Sequence, residues 1–208
     1  MTVVSHTKKF IFICNGKTGT TSIQSVLSKY NEMPDIDNGY PNLWANKHIP
    51  PAVLKSFLPT TTWDNYFKFV FVRHPLDWFI SQYAFHSIPS DDDIPLPPSV
   101  ETFTVKEVDF LYDYLRPYRG IPDAPGLHQT TYVCDADGNT IVDFVGRFES
   151  LSEDFAKIKA HINCDVDLPY MNRTDHPPYQ ECFQPDGMQR VRELWAKDFE
   201  NFGYEIPD

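Results

Sequence analysis

The chain has no apolar run long enough to cross a membrane, no secretory leader and no internal repeat. Its few cysteines, Cys14, Cys134, Cys164 and Cys182, are widely scattered and lack metal-ligand spacing. These absences predict reduced thiols, a cytoplasmic location and no bound metal. Cations are also scarce: 18 Lys and Arg stand against 29 Asp and Glu, a formal net charge of −11. Such a balance argues against nucleic acid, or a heavily sulfated glycan, as a routine partner, while leaving room for a local basic cleft inside an acidic shell. What is there is a globular composition, 208 residues of which 41% are hydrophobic and 15% aromatic. That supports one α/β domain over 1–208 with a proper core. Asn172-Arg173-Thr174 matches a glycosylation sequon, but carries little weight without a leader.

Two apolar runs are each followed by a helical pattern. Phe10 to Ile13 leads into Gly16-Lys17-Thr18-Gly19-Thr20-Thr21-Ser22, after which Ile23, Val26, Leu27 and Tyr30 recur at helical spacing. Phe67 to Val72 leads into Arg73-His74-Pro75, and Pro75 suits the first turn of a helix with Leu76, Phe79, Ile80 and Tyr83 inward. Further helices are predicted over Ala52 to Leu58 and over Val105 to Tyr114, the latter ended by Arg116-Pro117. Thr130 to Cys134 and Thr140 to Val145 read as a hairpin around Asp135-Ala-Asp-Gly-Asn139. Ser150-x-x-Glu153 and Asp186-x-x-Gln189 resemble capping boxes, the second opening a last helix that Gly203 stops. Ser87 to Thr104, with Asp91-Asp92-Asp93 among four prolines, reads as an acidic Pro-rich loop inserted at 87–104. Strand–loop–helix units early in the chain imply a central parallel sheet flanked by helices, a three-layer P-loop-like fold.

The first loop is a cradle for an oxyanion. A loop opening a helix aims backbone N–H groups from the positive end of the helix dipole, and Lys17 adds a cation. A nucleoside-triphosphate loop needs a glycine five residues before its Gly-Lys pair, but position 11 is Ile. No apolar strand ends in an obvious magnesium carboxylate either. The alternative readings are a P-loop kinase or a non-catalytic nucleotide-binding module.

Lys17-Thr-Gly-Thr-Thr-Ser22 directly after a strand resembles the 5′-phosphosulfate loop of sulfotransferases that use 3′-phosphoadenosine 5′-phosphosulfate (PAPS). Arg73-His-Pro75 followed by Ser81, an interval of eight residues, resembles their 3′-phosphate motif. Asp143-Phe-Val-Gly-Arg-Phe-Glu149 and the tail Ala196 to Tyr204 are similar to the branch of Golgi carbohydrate sulfotransferases and their bacterial relatives, sulfotransferase family 2. That branch commonly has His-x-Pro before the lysine, whereas this chain has Cys14-Asn15-Gly16. Gly16 makes the loop freer than a proline would.

The resemblance implies in-line transfer of a sulfuryl group from PAPS, without a required metal, leaving 3′-phosphoadenosine 5′-phosphate. Lys17 would stabilise the departing phosphate, and Thr18, Gly19, Thr20, Thr21 and Ser22 would bind the 5′ side. Arg73 and Ser81 would hold the 3′-phosphate, with Arg173 and Thr174 as further contacts. His48, in Lys47-His48-Ile-Pro-Pro between the two motifs, is the candidate base, with Asp35 or Asp37 as alternatives. His74, His128 and His176 read as structural, and Arg147 as an ion-pair partner of Glu149 or a neighbour. The implied acceptor is a hydroxyl or amine of a saccharide, glycolipid or small metabolite. Acidic variable loops favour a neutral or cationic one, and Tyr40, Trp44, Phe103 and Tyr118 are candidate stacking platforms.

Overall fold

The structure, a computed structural model, describes residues 1–33, 47–87, 102–118, 128–169 and 177–205. Four strands form one sheet in the order β1 (Val3–Ser5), β2 (Phe10–Ile13), β3 (Phe67–Val72) and β4 (Phe144–Arg147). β2, β3 and β4 are parallel, with Phe10 opposite Phe67 and Phe69 opposite Phe144. β1 runs antiparallel to β2. The helices are α1 (Thr20–Leu27), α2 (Pro51–Phe57), α3 (Thr60–Asn65), α4 (Pro75–His86) and α5 (Val105–Tyr118). After them come α6 (Leu151–His161), α7 (Tyr179–Cys182), α8 (Pro185–Leu194) and α9 (Ala196–Phe202).

Strand alternation explains the three layers. Phe10, Phe12, Phe69 and Phe71 face one side and pack with Ile23 and Leu27 of α1 and Phe155 and Ile158 of α6. Ile11, Ile13, Val70 and Val72 face the other, against Leu76 and Phe79 of α4, Val108 of α5, Val191 of α8 and Phe199 of α9. Both faces are covered, so β2 is a continuous apolar run and β3 is apolar apart from Lys68, whose buried ammonium bonds the Trp63 and Tyr66 carbonyls. Each buried phenylalanine contributes about 1.5–3 kcal/mol.

The α/β expectation holds, and local departures have tertiary causes. The expected hairpin is reduced to one antiparallel bridge, Cys134 to Thr140, and residues 129–132 form a 3₁₀ turn. The strand of this region lies further on, at Phe144–Arg147, because pairing with β3 satisfies its backbone groups. α5 runs to Tyr118 and carries Pro117 in its last turn. Burial of Val108, Leu111 and Leu115 outweighs the extended preference of the residue before proline. The Ser150 hydroxyl donates to the buried Asp154 at 2.9 Å and makes no cap bond to the helix backbone, so the expected capping bond from Ser150 does not form. Asp186 accepts from the adjacent Gly187 N–H at 2.8 Å, while Gln189 turns to Glu193. The expected last helix breaks at the fully buried Trp195, and Gly203, at φ 59°, ends α9 as expected. The insertion at 87–104 lies largely outside the described residues. Phe103, expected as a stacking platform, is 3% exposed in the core and packs on Phe79, Tyr83 and Phe183. Among the described residues no helix is long and apolar enough to cross a membrane.

Candidate active site

The site begins where β2 and β3 end, the usual ligand edge of an open parallel sheet. Past Ile13 the chain turns, and the Thr18 hydroxyl donates to the Asn15 carbonyl at 2.8 Å, tying the loop across its neck. The left-handed conformations fall on Lys17 (φ 65°) and Gly19 (φ 77°), not on Gly16. Gly19 is the N-cap of α1, and Ile23 N–H closes the first helical turn on its carbonyl at 3.3 Å. A Cβ on Gly19 would lie 2.8 Å from Leu151 Cδ2, so this position is restricted by both conformation and space. The first turn of α1 contains no acidic residue, leaving its positive end uncompensated by local carboxylates. Trp78 Nε1 donates to Gly16 O at 2.9 Å and fixes the loop to α4.

Lys17 is partly buried, with Nζ 4.4 Å from the Phe85 ring centroid. Burial, then repulsion from Arg73 and Lys47, pulls its ammonium down to about 8. Arg73 is 6% exposed, and its guanidinium stacks on Phe148 at 4.1 Å. Its Nε pairs with Asp77 at 2.6 Å, and Nη1 donates to the Lys17 carbonyl at 3.2 Å. The two cationic residues assigned from sequence are thus joined directly. Thr20 and Ser22 are buried beside them and Thr21 is exposed. The Thr18 hydroxyl proton is committed to Asn15, so Thr18 can offer an anion its N–H rather than its hydroxyl. Ser81 is 1% exposed on α4, the helix that carries Asp77. Arg173 and Thr174, like Asp35, Asp37, Tyr40, Trp44 and His176, lie outside the described residues.

His48 is anchored to the strand that leads into the loop. Its Nδ1 lies 2.7 Å from the Cys14 carbonyl and 3.4 Å from Cys14 Sγ. A carbonyl can only accept, so Nδ1 carries the proton and Nε2 is the basic nitrogen of the neutral ring. Burial pushes the Cys14 thiol up, keeping it protonated beside the imidazole.

His74 holds the second motif together. Its N–H donates to Glu149 at 2.7 Å, and its ring stacks on Tyr179 with centroids 4.5 Å apart. Burial lowers its pKa from the usual histidine value. The other Glu149 oxygen accepts from Tyr204 Oη at 2.9 Å, so Glu149 links the Arg73-His74-Pro75 turn to the C-terminal segment. Arg147 does not pair with Glu149. It donates to the Phe202 carbonyl at 2.5 Å and lies over the Tyr204 ring. His128 is half-buried beside Asp198, and that partial burial lowers its pKa too.

Several site residues are absent from the sequence reading. Gln129 and Asn15 are each 1% exposed and bond to one another at 3.3 Å. Asp198, fully buried, accepts from Gln129 N–H and Thr130 N–H, each at 2.8 Å, and from the Thr130 hydroxyl at 2.6 Å. Burial nonetheless pushes the Asp198 carboxyl up. Only Asp77 had a sequence signal, its four-residue spacing from Arg73 on one helix face. Among the described residues no group of three or more His, Cys, Asp or Glu could hold a metal ion.

Fold and site define a P-loop-like α/β protein with a cation-bearing loop at the sheet edge. The sulfotransferase family model matches residues 1–205, so the chain belongs to sulfotransferase family 2 and is a sulfotransferase. No curated protein and no solved structure matches it.

Proposed function

We propose that the protein transfers a sulfuryl group from PAPS to a hydroxyl or amine of a saccharide, glycolipid or small metabolite. The observation that carries this reading is the direct link between Arg73 Nη1 and the Lys17 carbonyl at 3.2 Å, which joins two cations at the ends of adjacent parallel strands. Two cations at neighbouring strand ends suit a ligand that carries phosphates on both the 3′ and 5′ sides of its ribose. The first turn of α1 and Lys17 would hold the 5′ side; Arg73 and Ser81, with Arg173 and Thr174, would hold the 3′-phosphate. The cofactor supplies a sulfuryl group activated by its anhydride bond to the 5′-phosphate.

The residues then divide the work by charge. His48 Nε2 takes the proton of the acceptor hydroxyl as the acceptor oxygen bonds to sulfur. When bound, PAPS would give up its sulfuryl group as the sulfur–oxygen bond to the 5′-phosphate broke, the electron pair leaving with the phosphate. Lys17, mostly protonated at neutral pH with a pKa of about 8, meets that growing charge. Trp78 and Arg73 hold the loop from two sides, through Gly16 O and Lys17 O, so little reorganisation is needed as charge develops. The four cysteines are free and buried, which supports assigning the protein to a reducing, cytoplasmic setting.

Thermal denaturation tests the donor assignment. Adenosine 3′,5′-bisphosphate should raise the melting temperature, and ATP with magnesium should do much less. Equal shifts would overturn the assignment to PAPS.

A further inference from the structure

The sheet opens where the site begins, and side-chain amides fill the gap. β2 and β3 pair as far as Ile13 and Val70; β2 then turns into the loop while β3 continues to Val72. Backbone groups of Phe71 and Arg73 thereby lose the strand that would have satisfied them. Asn15 Nδ2 donates to Phe71 O at 3.0 Å in its place. Gln129 Oε1 accepts from Arg73 N–H at 2.8 Å, and Gln129 Nε2 donates to Arg73 O at 2.6 Å. One amide therefore reproduces the two-bond pair that a neighbouring strand would make. Asn15 Nδ2 also reaches Gln129 Oε1 at 3.3 Å, tying the two wedges together. Asp198 secures Gln129 from behind through its N–H at 2.8 Å.

We propose that Gln129 is a positioning residue that fixes the separation between the Lys17 loop and Arg73, and so selects ligands anionic at both the 3′ and 5′ sides of the ribose. The inference rests on the reading of Arg73 as the 3′-phosphate holder. Gln129 contacts Arg73 only through the backbone bonds just described, so it acts by placing Arg73. Cutting both bonds lets the end of β3 drift, which weakens the 3′ contact and spares the 5′ contact made by the first turn of α1.

Calorimetric titration of the full chain with adenosine 3′,5′-bisphosphate and with adenosine 5′-monophosphate tests this. The unaltered protein should prefer the bisphosphate. Gln129→Met, similar in volume but without the amide, should lose about tenfold of that preference, with monophosphate affinity within about twofold. Gln129→Asn keeps a neutral amide one methylene short of Arg73 and should lose a comparable share; it carries the test if the methionine variant does not fold. A purely structural role would lower the melting temperature and leave the preference ratio unchanged. If the unaltered protein binds both nucleotides equally, the 3′-phosphate reading of Arg73 falls and the inference with it. If it prefers the bisphosphate and the variants keep that preference, the role of Gln129 alone is overturned.

Discussion

Raising the pH from 7 to 9 should weaken binding of adenosine 3′,5′-bisphosphate about tenfold, through a single proton on Lys17. Burial, Arg73 and Lys47 together hold the free Lys17 ammonium at about 8. A bound phosphate offsets that repulsion and favours the ammonium, returning its pKa towards the ordinary lysine range. The complex therefore retains a proton that the free protein loses, and affinity falls as pH rises through 8. Free Lys17 is roughly nine-tenths protonated at pH 7 and one-tenth at pH 9, which sets the tenfold change. The Met1 ammonium beside Cys14, lowered by burial, also loses its proton near the foot of this window, and the Lys17→Arg comparison below separates its contribution. His74 and His128 are lowered by burial and stay neutral, and the Cys14 thiol is raised. Calorimetry at pH 7, 8 and 9 reads the slope above the last phosphate ionisation, which lies near about 6. At pH 8, buffers of different ionisation enthalpy should report uptake of about half a proton. Lys17→Arg, charged throughout the range, should flatten the slope. A flat profile for the unaltered protein, or the same slope in Lys17→Arg, would refute the reasoning.

Other perturbations separate chemistry from scaffold. Gly19→Ala forces a left-handed residue against Leu151 and should destabilise the fold by at least about 1–2 kcal/mol in urea denaturation; unchanged stability would contradict the loop geometry. Asp198→Ala strands the buried N–H groups of Gln129 and Thr130, each worth about 1–3 kcal/mol, and should lower the urea midpoint far more than Asp198→Asn. Removing the base with His48→Ala should cut kcat by about 10²–10⁴-fold and leave bisphosphate affinity within about twofold. An equal loss of kcat and affinity would make His48 a scaffold residue instead.

The parts of the site legible in the sequence are those encoded by neighbours in the chain. The apolar runs Phe10–Ile13 and Phe67–Val72 are buried on both faces, so they stand out as strands. The loop and the Arg73-His74-Pro75 turn follow each at once. β1 has no signature in the sequence, because three residues carry no periodicity, and it exists through pairing with β2. The hairpin failed for the opposite reason: the turn around Asp135 to Gly138 is real, with Gly138 N–H on Asp135 O at 3.1 Å, but its arms do not extend into a ladder. Gln129 and Asp198 left no trace because their partners are distant, 56 residues away for Arg73 and 69 for Gln129. A lone buried amide or carboxylate looks like any surface polar residue until tertiary structure supplies its partner. Phe103 shows the same blindness in reverse, an aromatic in an acidic loop that belongs to the core.

Sulfuryl transfer itself is the most direct test. The protein should be incubated with PAPS labelled in the sulfuryl group and an extract of its own source, in parallel with Lys17→Ala. Label should pass to an acceptor and release adenosine 3′,5′-bisphosphate, and the lysine variant should transfer almost none. Undiminished transfer by Lys17→Ala, or transfer of phosphate from magnesium ATP in place of sulfate, would contradict the account.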